Sequence, residues 1–293
     1  MDNRSADQFP LVVIVGPTAS GKTALAIELA EEFEGEIICA DSRTVYKGMD
    51  VGTAKPSYGE RERIPHWGLD LVEPGERFTA ADFKQYADQK IEEIRARGHI
   101  PFLVGGSGLY VDAVIFDYQF GPRADDLLRA HFNKLSIQEL QEYCSINNIE
   151  LPENQYNKRY LVRAIEQKSI RSKRSESPIN TSIIVGITTD RDVLRTRILY
   201  RSEQLLKNGV VEEATKLGDK YGWKSEAMTG NIYRIIHCYL NNEFTKEDVV
   251  AKNATADWKL AKRQLTWFRR NPYIKWLSLD EAKLYIQSVL ANE

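Results

Sequence analysis

Cysteine is scarce in this chain: Cys39, Cys144 and Cys238 lie far apart and without C-x-x-C spacing. That pattern argues against a disulfide framework or a cysteine-built zinc site, and it fits a reducing cytoplasm. Long hydrophobic runs are missing as well, and the segment from Met1 to Phe9 is short and polar, without an apolar signal core. Secretion and membrane insertion are therefore not expected. Nor is there an excess of charge of either sign, since 40 Lys and Arg face 42 Asp and Glu for a formal net charge of -2. Bulk charge thus predicts no nucleic-acid partner, and any basic surface has to be a local patch. Repeats and low-complexity tracts are absent. What remains is an ordinary globular composition over 293 residues, enough for a sizeable core and, in our reading, two domains.

Gly16 to Thr23 read Gly-Pro-Thr-Ala-Ser-Gly-Lys-Thr and follow the apolar run Leu11-Val12-Val13-Ile14-Val15. A buried strand therefore feeds a glycine-rich turn and then a helix starting near Lys22. This is the spacing of a phosphate-binding loop. Gly16 and Gly21 let the backbone over Pro17, Thr18, Ala19 and Ser20 curl so that the N–H groups after Pro17 face one anion. Lys22 adds a point charge, and Thr23 is placed to hold Mg²⁺. A nucleoside triphosphate is the default ligand of such a loop, but any pyrophosphate ester presents similar oxygens.

The rest of the chain reads as alternating strands and helices. A helix over Ala24 to Phe33 ends at Gly35 before the strand 36–40. Another helix over Ala80 to Arg97, with Thr79 and Asp82 suited to its N-terminal turn, leads into the strand Ile100 to Val104. That strand runs into Gly105-Gly106-Ser107-Gly108 and a further helix. From Gly121 to about Pro178 only polar helical stretches follow, an insertion outside the sheet. Ser182 to Ile187 returns to a buried strand, and helices over Asp192 to Gly209, Val211 to Tyr221, Gly230 to Asn241 and Lys246 to Phe268 follow. The strand Ile274 to Leu277 precedes a closing helix. The expected fold is α/β: a P-loop-containing, mostly parallel sheet with flanking helices over 1–120 and 180–293, plus a small helical insertion domain over 121–179.

In such a sheet ligands bind at the carboxyl ends of the strands, where three polar clusters fall: Gly16 to Thr23, Asp41-Ser42-Arg43-Thr44, and Gly105 to Gly108. Asp41 is a candidate general base facing the same crevice as Lys22; a turn cap is the competing role on spacing alone. Ser107 is placed to bond an oxygen of a leaving pyrophosphate, with simple turn chemistry as its alternative. Arg197 and Arg201 share a helix face on which either can reach phosphates, or pair with Asp192 or Glu203. Two basic runs stand out. One holds Lys158, Arg159, Arg163, Lys168, Arg171, Lys173 and Arg174 against Glu166; the other holds Lys259, Lys262, Arg263, Arg269, Arg270 and Lys275 among Trp258, Trp267, Phe268, Tyr273 and Trp276. Such runs suit RNA, and equally a solvated helix face.

With Gly16 to Thr23, Asp41 to Pro56 (DSRTVYKGMDVGTAKP), the stretch PFLVGGSGLYVDAV and Ala261 to Arg270 (AKRQLTWFRR), the chain resembles the tRNA dimethylallyltransferases over nearly its full length. The resemblance implies transfer of a dimethylallyl group from dimethylallyl diphosphate to the exocyclic amine of the adenosine 3′ of the anticodon. It implies a diphosphate in Thr18 to Thr23, Mg²⁺ near Thr23, Asp41 as base, and Ser107 and Arg201 beside the leaving group. It also implies that Asp41, Ser42, Arg43, Thr44 and Ser107 contact the flipped-out nucleotide, and that Arg129, Arg159 and Arg163 grip the tRNA anticodon stem-loop. The implied enzyme is a cytoplasmic monomer with no organic cofactor. Ser107 stands where the family usually has Thr, Thr44 where many members have Gln, and Met228 to Arg234 departs from a glycine-tyrosine pattern. The competing readings are an adenylate dimethylallyltransferase acting on free AMP or ADP, a P-loop small-molecule kinase or ATPase, and a non-catalytic RNA-binding protein. No apolar strand ending in Asp-Glu supports the kinase.

Overall fold

The computed structural model describes residues 9–121, 126–167, 173–179 and 181–292. The N-terminal segment before Phe9, and Lys168 and Arg171 of the first basic run, lie outside them. Contacts divide the chain into one unit running to Phe116 and resuming at Ser177, and a second formed by Asp117–Glu176.

The first unit is built on strands β1 (Leu11–Val15), β2 (Gly35–Ala40), β3 (His66–Trp67), β4 (Ile100–Gly105), β5 (Ser182–Ile187) and β6 (Lys275–Leu277). They pair in the order β3-β2-β4-β1-β5-β6, and every pairing is parallel. The near-continuous burial of β1, β2, β4 and β5 is what a sheet covered on both faces requires. Between the strands run α1 (Lys22–Glu32), the short α2 (Tyr58–Arg63), α3 (Ala80–Ala96) and α4 (Gly108–Ile115). Thr79 and Asp82 form the expected capping box of α3, each side chain bonding the other's backbone N–H.

In the Asp117–Glu176 unit, α5 (Asp126–Phe132), α6 (Ile137–Ile146) and α7 (Lys158–Gln167) enclose a small core of Phe132, Leu140, Cys144, Leu161, Val162 and Ile165. The first unit then continues through α8 (Arg191–Lys207), α9 (Val210–Tyr221), α10 (Asn231–Leu240), α11 (Lys246–Phe268) and, after β6, α12 (Leu279–Leu290). Val12, Ile14, Ile37, Cys39, Phe102, Val104, Ile183 and Val185 alternate along their strands onto one sheet face, against Leu25, Ala26, Leu29 and Ala30 of α1 and Ala282 and Ile286 of α12. Leu194 and Ile198 of α8 meet Ala261 of α11 in a satellite cluster that also receives Ala19 of the glycine-rich loop.

The register matters most for function. Val15 pairs with Gly105, and Ala40 pairs with Gly105 on its other side, so β1, β2 and β4 end level with one another. Gly16, Asp41 and Gly106 each follow directly, which brings all three polar clusters to one sheet edge.

Candidate active site

Behind Val15 the chain turns sharply, and Gly21 takes φ 93° immediately before α1. This left-handed conformation favours glycine and points the start of α1 at the cavity. The cavity, about 380 Å³, is lined by Thr18, Lys22, Thr23, Asp41, Ser42, Arg43, Thr44, Ser107 and Arg201 among others. Residues from all three strand-end clusters therefore converge, together with Arg201 from α8, while Gly16, Pro17, Ala19, Ser20 and Gly21 of the glycine-rich loop are not among the lining residues.

The Lys22 ammonium lies 3.3 Å from the Pro17 carbonyl, which accepts its hydrogen bond. Burial lowers its pKa to about 8, opposed by the Asp41 carboxylate and reinforced by the Arg201 cation. Arg201 Nη1 donates to Thr18 Oγ1 at 2.8 Å and Nη2 approaches the Thr53 carbonyl at 3.5 Å, while its Nε is buried without a hydrogen-bond partner. One turn earlier, Arg197 Nη1 donates to the Ser20 carbonyl at 3.3 Å. The shared face of Arg197 and Arg201 thus clamps the glycine-rich loop instead of pairing with Asp192 or Glu203; Arg195 is the residue beside Asp192, at 3.9 Å. Ser20 Oγ, a buried hydroxyl of that loop, is likewise without a hydrogen-bond partner.

Asp41 makes the turn contact and still faces the cavity. Its Oδ1 accepts from the Arg43 N–H at 2.8 Å, closing a turn, and the residue also lines the cavity. Ser107 Oγ accepts from the Ser42 N–H at 2.9 Å, which ties the end of β4 to the residue after Asp41. Thr44 is buried and donates to the Asp41 carbonyl at 3.3 Å. Arg43 spans to the 226–229 segment, with Nη1 on the carbonyls of Glu226 and Ala227 and Nη2 on Thr229 Oγ1. In the Asp117–Glu176 unit, Arg129 Nε and Arg163 Nη1 both meet the buried Glu166 carboxylate, at 2.5 and 3.3 Å, and Arg159 is exposed.

The cavity also has walls that spacing did not reveal. Asn253, Asp257, Leu260 and Gln264, one face of α11, line it. Burial holds the Asp257 carboxyl above its usual range, with Arg201 and Asn231 opposing. These residues form a stripe at helical spacing on the same helix that carries the second basic and aromatic run.

Gly52, Thr53 and Ala54 form another wall, fixed by Glu213 of α9. Glu213 Oε2 accepts from Asp50 N and Val51 N at 2.7 and 2.6 Å, and Oε1 accepts from Gly52 N and the Tyr233 hydroxyl, both at 2.8 Å. Each carboxylate oxygen takes two donors, so an amide nitrogen in either place would face donors. We expect Glu213→Gln to cost about 1–3 kcal/mol in urea unfolding, more than the roughly 1 kcal/mol of Tyr233→Phe, which removes one donor and strands nothing charged. Equal midpoints for Glu213→Gln and wild type would refute the clamp.

A parallel sheet with a phosphate loop, and with a carboxylate and cations around one cavity, defines a P-loop group-transfer enzyme. The chain belongs to the IPP transferase family, whose model matches residues 44–271. It is 36% identical over 288 residues to a tRNA dimethylallyltransferase of Halalkalibacterium halodurans, covering 92% of this chain and 91% of that protein. Among solved structures, a full-length tRNA isopentenylpyrophosphate transferase from Bacillus halodurans superposes with a TM-score of 0.74 at 36% identity, covering 97% of this chain and 96% of its own. A eukaryotic dimethylallyltransferase acting on tRNA shares the fold, with a TM-score of 0.77 at 22% identity over 93% of this chain and 74% of that one.

Proposed function

We propose that the chain transfers the dimethylallyl group of dimethylallyl diphosphate to the exocyclic N6 amine of the adenosine adjacent, on the 3′ side, to a tRNA anticodon, releasing diphosphate. The observation that carries this reading is the convergence of Lys22, Arg201, Ser107 and Asp41 on one cavity, with cations and hydroxyls beside the phosphate loop and a carboxylate across from them. It is supported by the family and by the names of its members.

In this reading Gly16, Pro17, Thr18, Ala19, Ser20, Gly21, Lys22 and Thr23 hold the diphosphate. As the bond from the allylic carbon to the bridging oxygen breaks, its electron pair leaves on the diphosphate. Lys22, Arg201 and Ser107 stabilise that charge through donors already in place. The N6 lone pair forms the new bond to the same carbon, and the N6 proton passes to the Asp41 carboxylate. Ser42, Arg43 and Thr44 border the flipped-out base; flipping is required because the target amine of a stacked adenine cannot reach a recessed cavity.

Mg²⁺ fits at Thr23. Among the described residues no cluster of three or more His, Cys, Asp or Glu is placed to cage a metal, and a hydroxyl plus phosphate oxygens is a donor set that Mg²⁺ accepts. When bound it neutralises charge on the diphosphate. The helical unit takes the anticodon stem-loop through Arg129, Arg159 and Arg163. Arg129 and Arg163 place two cations on one Glu166 carboxylate and so retain net positive charge for phosphate. The enzyme works as a monomer in the cytoplasm; among the described residues no helix is long and apolar enough to cross a membrane.

The test is to supply Mg²⁺ and labelled dimethylallyl diphosphate with either an unmodified anticodon stem-loop or free AMP. Label in the stem-loop alone is expected. Label in AMP instead would establish a free-nucleotide enzyme, and label in neither with ATP turnover would establish a kinase or ATPase.

A further inference from the structure

We propose that Gln264 is a positioning residue that fixes the separation between the leaving-group side and the nucleophile side of the cavity. This rests on the group-transfer reading above. The Gln264 amide lies between two loops that are far apart in the chain. Its Oε1 accepts from the Thr18 N–H at 2.9 Å, and its Nε2 donates to the Gly106 carbonyl at 3.0 Å. Each contact continues into one half of the chemistry. Thr18 carries on its hydroxyl the guanidinium of Arg201, at 2.8 Å. Gly106 precedes Ser107, which, besides its place beside the leaving group, takes the Ser42 N–H on its Oγ and so reaches the turn that holds Asp41. One side chain of α11 thus touches the cradle for the departing anion and the end of β4, which in turn is tied through Ser107 to the turn holding Asp41.

The fit is close. A Cβ on Gly106 would lie 2.3 Å from Gln264 Nε2, so the loop approaches the amide only because position 106 is glycine. The chemistry of the bridge is equally demanding, because it takes one acceptor facing an N–H and one donor facing a carbonyl on the same planar group. Glutamine supplies both. A carboxylate supplies only acceptors and turns a lone pair towards the Gly106 oxygen.

An in-line displacement depends steeply on the distance and alignment of nucleophile, carbon and leaving group. A spacer of this kind acts on kcat, because binding of each substrate alone does not require both halves to be in register. The test compares kcat, the KM for dimethylallyl diphosphate, the affinity for the stem-loop and the melting temperature among wild type, Gln264→Ala and Gln264→Glu. Gln264→Ala is expected to lose about 10²-fold in kcat, with donor KM and RNA affinity little changed. Gln264→Glu is expected to be impaired at neutral pH and to recover relative to wild type as pH falls, because the protonated carboxyl accepts from Thr18 and donates to Gly106 as the amide does. Burial against a carbonyl raises the pKa of that carboxyl, bringing the recovery into an accessible range. The pH-dependent recovery is a readout that a loss of folding cannot produce. Wild-type kcat in Gln264→Ala, or a deficit in Gln264→Glu that does not vary with pH, would overturn the spacer. Failure of wild type itself to label either acceptor would instead overturn the functional reading on which it rests.

Discussion

Asp41→Asn is expected to lower the single-turnover rate of dimethylallyl transfer by about 10²–10⁴-fold, the range over which a positioned general base contributes. The stem-loop should bind with nearly unchanged affinity. Asparagine keeps the volume of the side chain, and its amide oxygen can still accept the Arg43 N–H that Asp41 Oδ1 takes at 2.8 Å. The turn after β2 is therefore preserved, and so is the register that Ser107 imposes on Ser42. Only the capacity to take a proton goes. Asp41→Ala removes the turn contact as well, so a larger loss in alanine than in asparagine would measure the positioning part of the effect. Normal single-turnover transfer in Asp41→Asn would assign the proton to another group. Among the described residues the cavity lining holds one other carboxyl, Asp257, which burial biases towards its protonated form.

Much of what is legible in the sequence shares a property: it lies within two residues of the end of a strand that announces itself by composition. Val15, Ala40 and Gly105 end apolar runs, and parallel pairing levels those ends, so Gly16, Asp41 and Ser107 could be grouped before their distances were known. The sheet itself was legible for the same reason, except β3. With two half-buried residues, His66 and Trp67, that strand has no period to detect. Gln264 and Glu213 were not legible because their roles lie in partners distant along the chain. Gln264 bonds a residue 246 positions away, and Glu213 holds a turn more than 160 positions before it. No local spacing carries that information. Arg43 lines the cavity, as its place in the Asp41 cluster implies, and its guanidinium also reaches the 226–229 segment. That contact couples the base-bearing turn to the stretch of sequence that departs from the family pattern.

Lys22 leads to the second large effect. Because burial brings its pKa to about 8, the free enzyme begins to lose this charge just above neutrality. A bound diphosphate restores it, since an anion beside the ammonium favours the charged form. Binding above pH 8 must then take up a proton. The sign follows: affinity for diphosphate is flat below about pH 8 and falls as pH rises through that value, by up to about tenfold per pH unit while the complex stays protonated. The same depression acts on folding of the free protein, where the unfolded chain holds the extra proton between about pH 8 and the ordinary lysine value of 10.5. Stability therefore gains from this group as pH rises across that window. Lys22→Met keeps most of the side-chain volume, removes the charge, and is expected to lower kcat/KM for the donor by about 10²–10³-fold, the scale for loss of one donor to a developing anion. It should also flatten the fall in diphosphate affinity above pH 8. Calorimetric titration with inorganic pyrophosphate in two buffers of different ionisation enthalpy, at about pH 7 and pH 9, reads the proton directly. Uptake at the higher pH in wild type and none in Lys22→Met places the titrating charge on the phosphate loop. Equal uptake in both proteins would move it to another group and leave the buried ammonium as a structural element of the turn.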